Sequence, residues 1–151
     1  MLRGNRFRLI TLGRLTLEGE AGEGDGTLAG RKSRLAVLAM LAMAKRTVTR
    51  DTLVDTFWGE QDEARARHSL SNVLSSFRRV LGGDAIATRE TEIALSRDAP
   101  LSVDALELSD AIERKEYSRA VDLYGGPFLD DVVIDDSPGF DQWVARERRR
   151  L

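Results

Sequence analysis

ARARHSLSNVLSSFRRVLGG, residues 64–83, is the stretch whose reading decides the fold. It holds four arginines and the only histidine of the chain, and no acidic side chain. Leu70, Val73, Leu74, Phe77 and Leu81 recur at steps of three and four, which places them on one buried stripe of a helix. The opposite face then carries Arg67, His68, Ser71, Asn72, Ser75, Arg78 and Arg79. Cations, hydroxyls and an amide are the groups that hold phosphates and read base edges in a DNA groove. Gly82-Gly83 supplies the glycine expected just past such a helix. A surface helix with a merely solvated basic face would carry the same pattern, so the neighbouring segments have to decide.

The chain of 151 residues has room for one domain, or for one small domain and part of another. With 42% apolar and 32% charged residues it has the composition of a soluble globular protein. Cysteine is absent, which excludes disulfides, thiolate metal sites and thiol catalysis and agrees with a reducing compartment. MLRGNRFR lacks the apolar core and cleavage site of a signal peptide, and the longest apolar run, Leu35 to Ala44, is half a membrane span. A cytoplasmic location with no membrane partner is therefore expected. The net charge of −2 argues by itself against nucleic acid, but the distribution matters more than the sum. Residues 31–50 hold six basic and no acidic side chains, whereas residues 98–141 hold twelve acidic and three basic ones. Two modules with different partners would give this asymmetry.

Phe7 to Leu12 and Leu15 to Leu17 read as short strands around Gly13-Arg14. Glu18 to Gly26 has four glycines and four acidic residues, so it reads as a connection that would repel phosphate, after which Thr27-Leu28-Ala29 reads as a possible third strand. Arg31 to Ala44 is a helix of strong helix formers, with Leu35, Leu38, Leu41 and Ala42 as its core stripe and Val37 and Met40 buried on a second side. Arg31 and Lys32 in its first turn have the wrong sign for the helix dipole, a placement that an approaching anion such as a DNA phosphate would relieve. Thr49 reads as the N-cap of a helix through Trp58, with Leu53, Val54, Phe57 and Trp58 inward and Gly59 as its end. A short turn then leads into the basic helix, giving the elements of a helix-turn-helix.

Residues 85–95 follow as a hairpin in which Ile86 and Thr88 oppose Ile93 and Leu95 around Arg89-Glu90-Thr91. A hairpin directly after a basic helix is a wing, and Arg89 at its tip is placed for a minor groove or a phosphate. Asp98-Ala99-Pro100 breaks the pattern and marks an expected boundary between units at 1–98 and 99–151. Beyond it three helices are expected. Asp104 would cap the first, with Leu108, Ala111 and Ile112 inward; the second spans Tyr117 to Tyr124, with Ala120, Val121 and Tyr124 inward. The third begins at Ser137-Pro138, buries Phe140, Trp143 and Val144, and ends in RERRRL, as if the chain were cut within a longer helical unit.

The order of these elements resembles the OmpR-type winged-helix DNA-binding domain. GRKSRLAVLAMLAM, VTRDTLVDTFWG, HSLSNVLSSFRRVLG, GPFLDD and FDQWVARERRRL together resemble the bacterial transcriptional activator (BTAD) family, which includes the antibiotic-regulatory SARP proteins. KEYSRAVDLY resembles a tetratricopeptide-type repeat at its inter-helix turn. The resemblance covers nearly the whole chain. It implies a mainly α fold with small β-sheets, that is, a winged helix-turn-helix followed by part of an all-α tetratricopeptide-like unit. It also implies a transcriptional activator that reads the major groove with residues 64–81 and the backbone or minor groove with the wing. Asn72, Ser75, Ser76, Arg78 and Arg79 would face the groove, with Arg67, His68, Ser71, Arg89, Arg31, Lys32 and Arg50 as further DNA contacts. Many relatives carry arginine where this chain has Ser76, so one base contact is lost or altered here. Double-stranded DNA, RNA polymerase and a second copy on repeated half-sites are the implied partners. The acidic loop before the basic helix is short and offers polymerase little surface, and control through a preceding phosphoacceptor domain is not expected.

A different reading makes the chain a protein-interaction module whose acidic helical half is the working surface and which does not bind DNA specifically. An enzyme is the weakest class. His68 has no paired nucleophile or carboxylate for triad chemistry, and Asp130-Asp131 with Asp135-Asp136 lack the ligand spacing of a calcium loop, so no metal and no cofactor are expected.

Overall fold

The computed structural model describes residues 7–19, 32–44, 46–132 and 138–151. Along the chain lie β1 (Phe7–Ile10), β2 (Thr16–Gly19), α1 (Lys32–Met43), β3 (Val48–Thr49), α2 (Arg50–Trp58), α3 (Glu63–Leu81), β4 (Ile86–Arg89), β5 (Glu92–Leu95), β6 (Leu101–Val103), α4 (Asp104–Glu113), α5 (Tyr117–Leu123) and α6 (Pro138–Arg150). The fold is mainly α with two three-stranded sheets, ordered β2-β1-β6 and β3-β5-β4. The strand expected at Thr27–Ala29 lies outside the described residues.

α1 is the central element. Leu35 through Leu41 are all buried, as is Met43, so the helix is covered on nearly every side. That follows from an apolar run with no polar stripe, which leaves no face for water. It packs against β2, α2 and β5. The wing sheet closes around it: β4 and β5 pair with Ile86 opposite Leu95 and Thr88 opposite Ile93, the register expected from the sequence. β5 also pairs with β3, Val48 opposite Ile93. Thr49 therefore has two tasks, since it ends β3 and also caps α2, its hydroxyl accepting from the Thr52 N–H at 3.1 Å.

The first sheet departs from expectation in two ways. β2 runs on through Glu18 and Gly19, where Gly19 opposite Phe7 leaves room for the aromatic ring. Beyond the break at Asp98-Ala99-Pro100 the chain returns to this sheet, and β6 lies parallel to β1 with Leu9 opposite Val103. The Phe7 N–H donates to Pro100 O at 3.0 Å. Asp104 does not cap α4 in the manner expected. Its buried carboxylate accepts from the Thr11 N–H at 2.8 Å, the Thr11 hydroxyl at 2.6 Å and the Leu12 N–H at 3.0 Å. Four such bonds, with the Ala105 N–H at 2.8 Å as the fourth, make burial of this charge tolerable.

A second tie follows at Gly13, whose N–H donates to Pro127 O at 2.9 Å. Gly13 has φ +91, and a Cβ there would sit 2.7 Å from Gly125 O, so glycine is required for this close approach. α6 packs against α2, with the Phe57 and Phe140 rings 5.6 Å apart and Trp143 meeting Phe128 edge-on at 5.5 Å. Phe140, Trp143 and Val144 are buried as expected, and one apolar core runs through both halves. α4 and α5 form a helical hairpin that buries Leu108, Ala111 and Ala120. Ile112, Val121 and Tyr124, expected inside, are instead exposed, Val121 by 74%. No helix among the described residues is long and apolar enough to cross a membrane.

Candidate nucleic-acid interface

α3 begins at Asp62, whose carboxylate accepts from the Arg65 N–H at 2.9 Å. This satisfies one of the free N–H groups of the first turn. Ala66, Leu70, Val73, Leu74, Phe77 and Leu81 then bury one face against the core. The end is set by Gly82, at φ 115, whose N–H donates to Arg78 O at 2.9 Å. With 19 residues, the helix is about 28 Å long, enough to cross a DNA groove.

Arg67, His68, Ser71, Asn72, Ser75 and Arg79 are all exposed on the opposite face. α3 packs on α2 and β4, while α6 packs on α2, so the C-terminal helices leave this face open. Arg67 is paired with Glu63 at 2.9 Å, but both side chains are largely exposed and an incoming phosphate could replace the carboxylate at little cost. Arg78 is half-buried and donates to Ile86 O at 3.3 Å, which ties the last turn of the helix to the first residue of the wing. Charge is graded along the helix: Asp62 and Glu63 lie at its start, and Arg78 and Arg79 in its last turn. Both placements suit the helix dipole, and they concentrate positive charge near the wing.

Ser76 is not on this surface. It is fully buried, and its hydroxyl donates to Val73 O at 2.7 Å. A serine can be buried in this way because its own helix supplies the acceptor. Lys32 also serves another purpose. Its ammonium donates to Leu15 O and pairs with Asp131 at 3.0 Å, joining the β1–β2 turn to the loop after α5. Arg31 lies outside the described residues. Arg50 is half-buried at the first position of α2, and its N–H donates to Thr91 O at 2.8 Å, which fastens the wing tip to the helix-turn-helix.

Arg89 is exposed at the end of β4, directly across from Glu92. The Thr47 hydroxyl hydrogen-bonds the Glu92 carboxylate, so part of that charge is engaged within the sheet. Glu90, at φ 54, makes the turn. The structure thus brings six exposed side chains together on α3 and sets Arg78 and the wing at one end of them. It removes Ser76 from the set and gives the exposed Lys32 partners elsewhere. Arg65, exposed in the first turn of α3, is a further cation on this element that the apolar periodicity does not single out. Among the described residues, no group of three or more His, Cys, Asp and Glu could hold a metal ion.

Helix-turn-helix, wing and preceding sheet together define a winged-helix protein. No protein-family model and no curated protein matches the chain. Among solved structures it is similar to Mycobacterium tuberculosis EmbR in complex with a low affinity phosphopeptide, with a TM-score of 0.69 and 23% sequence identity over 96% of this chain. The chain spans 42% of the length of that protein, and at this identity what the two share is the fold.

Proposed function

We propose that the chain is a sequence-specific DNA-binding transcriptional regulator, an activator of the SARP type. α3 occupies the major groove, and the β4–β5 wing touches the neighbouring backbone or minor groove. The observation that carries this reading is the uncovered face of α3, where Arg67, His68, Ser71, Asn72, Ser75 and Arg79 stand exposed while the opposite face is packed. The further contacts of this reading are Arg89, Arg50 and Arg78, which is tied to the wing at Ile86 O. Support also comes from the fold shared with EmbR and from the motif resemblance to the BTAD family. In this reading the DNA-reading unit ends near residue 98, a tetratricopeptide-like unit follows, and two copies bind repeated half-sites. Fluorescence anisotropy with labelled duplexes at two salt concentrations tests it. Binding should weaken steeply with salt, because each neutralised phosphate releases counterions, and a flat response would be incompatible with the proposal.

One observation favours a second reading for the other half. Ile112, Tyr117, Val121 and Tyr124 are exposed on the acidic α4–α5 hairpin, and exposed apolar groups rimmed by charge mark protein contacts. RNA polymerase is the partner that an activator would meet there. Binding to a protein that survives loss of Arg78 and Arg79 but not of α4–α6 would support this reading.

A further inference from the structure

Between α1, α2 and α6 lies a groove of about 410 Å³ that plays no part in the DNA-facing surface. Its walls include Met40, Met43, Val48 and Trp143, which are apolar, together with Thr56 and Arg146. One buried polar group in it has no partner, and one exposed cation beside it is unpaired. Thr56 is 8% exposed, yet its hydroxyl has no hydrogen-bond partner among the described residues. A buried hydroxyl without a partner is uncommon and marks a place where water or a ligand completes the site. Arg146 has no ion pair or hydrogen bond among the described residues either. The other charges of the groove are spoken for: Arg150 holds both oxygens of the buried Glu147, at 2.8 and 3.0 Å. That pair is neutral overall, so the groove offers one uncompensated positive charge beside an apolar wall.

We propose that this groove binds a small amphipathic monocarboxylic acid, its hydrocarbon body against Met40, Met43 and Trp143 and its carboxylate taken by Arg146 and the Thr56 hydroxyl. A single available guanidinium, with the Glu147 carboxylate close by, suits one negative charge better than a phosphate or a dicarboxylate. The volume lies in the range of ordinary small-molecule sites. Gly139 lies where α6 meets α2. A Cβ there would come within 3.3 Å of Thr56 Cα, so α6 approaches α2 closely at its first turn, and the groove is lined by later turns of the same helix.

The test needs no DNA, so its outcome is independent of the proposed regulator function. The chain has two tryptophans, and Trp58→Phe leaves Trp143 as the sole reporter in the groove. Sodium octanoate and octylammonium chloride are titrated as probes of equal length and opposite charge. Octanoate should saturate the Trp143 signal with one site per chain, and octylammonium should bind about tenfold more weakly or worse. Arg146→Gln, at an exposed position that leaves folding intact, should weaken octanoate about tenfold, and Thr56→Val about threefold. The proposal is overturned if octanoate fails to saturate at millimolar concentration, if both probes bind alike, or if R146Q binds octanoate as the parent does. Melting curves of the two variants separate lost binding from lost folding. A weakened T56V that melts like the parent supports the assignment.

Discussion

Ser76 and Arg78 stand two positions apart on α3, and their surroundings give them opposite roles. Ser76 is sealed against the core with its hydroxyl bonded to Val73 O, while Arg78 reaches from the helix to the wing at Ile86 O. Ser76→Arg should therefore not create a base contact. We predict a loss of about 3–5 kcal/mol, the cost of an uncompensated buried charge, read by urea unfolding. A variant as stable as the parent would place Ser76 at the surface after all. Arg78→Ala should remove about 1–3 kcal/mol of discrimination between operator and random duplex, whereas Lys32→Ala, whose ammonium is held by Leu15 O and Asp131, should leave DNA affinity unchanged and lower stability instead. Anisotropy on paired duplexes checks both. The sequence did not reveal the positions of Ser76 and Lys32, for a physical reason. Serine can satisfy itself on its own helix, and lysine can carry its charge to a distant carbonyl, so residue type alone says little about either. The leucines and Phe77 were readable because an apolar side chain has no such alternative.

At the scale of elements, α3 was legible almost to its ends, because the apolar stripe and Gly82 each act locally, whereas the cap at Asp62 came only with the structure. Gly82→Ala should cost about 1 kcal/mol or more, since φ 115 is unfavourable for any residue with a Cβ, and Asp62→Ala should cost about 1 kcal/mol through the lost cap. Thermal melts measure both, and equal melting temperatures for parent and G82A would mean that the helix ends elsewhere. β3 and β6 escaped the sequence reading. Strands of two and three residues are too short to show alternation, and both are defined by a partner far along the chain, Ile93 for Val48 and Leu9 for Val103. The outward turn of Ile112, Val121 and Tyr124 was missed for the related reason that apolar spacing identifies a helix face without saying whether anything covers it.

At the scale of the molecule, the charge asymmetry suggests two independent units, yet the core is continuous and Asp104 holds the end of β1 from the first turn of α4. Asp104→Ala strands the buried Thr11 and Leu12 N–H groups and should cost roughly 3 kcal/mol. The prediction is that both halves unfold together at this lower stability, with the fluorescence of Trp58 and Trp143 and far-ultraviolet circular dichroism following one transition; two separate transitions would contradict it. The β1–β6 pairing has a practical consequence for anyone wishing to isolate the DNA reader. A fragment stopped at the proline-containing break would turn β1 into a raw sheet margin, with backbone groups bare toward any passing strand. The shortest piece that keeps its own seam closed must carry residues 101–104, and with them the first residue of a helix that the sequence alone assigns to another unit.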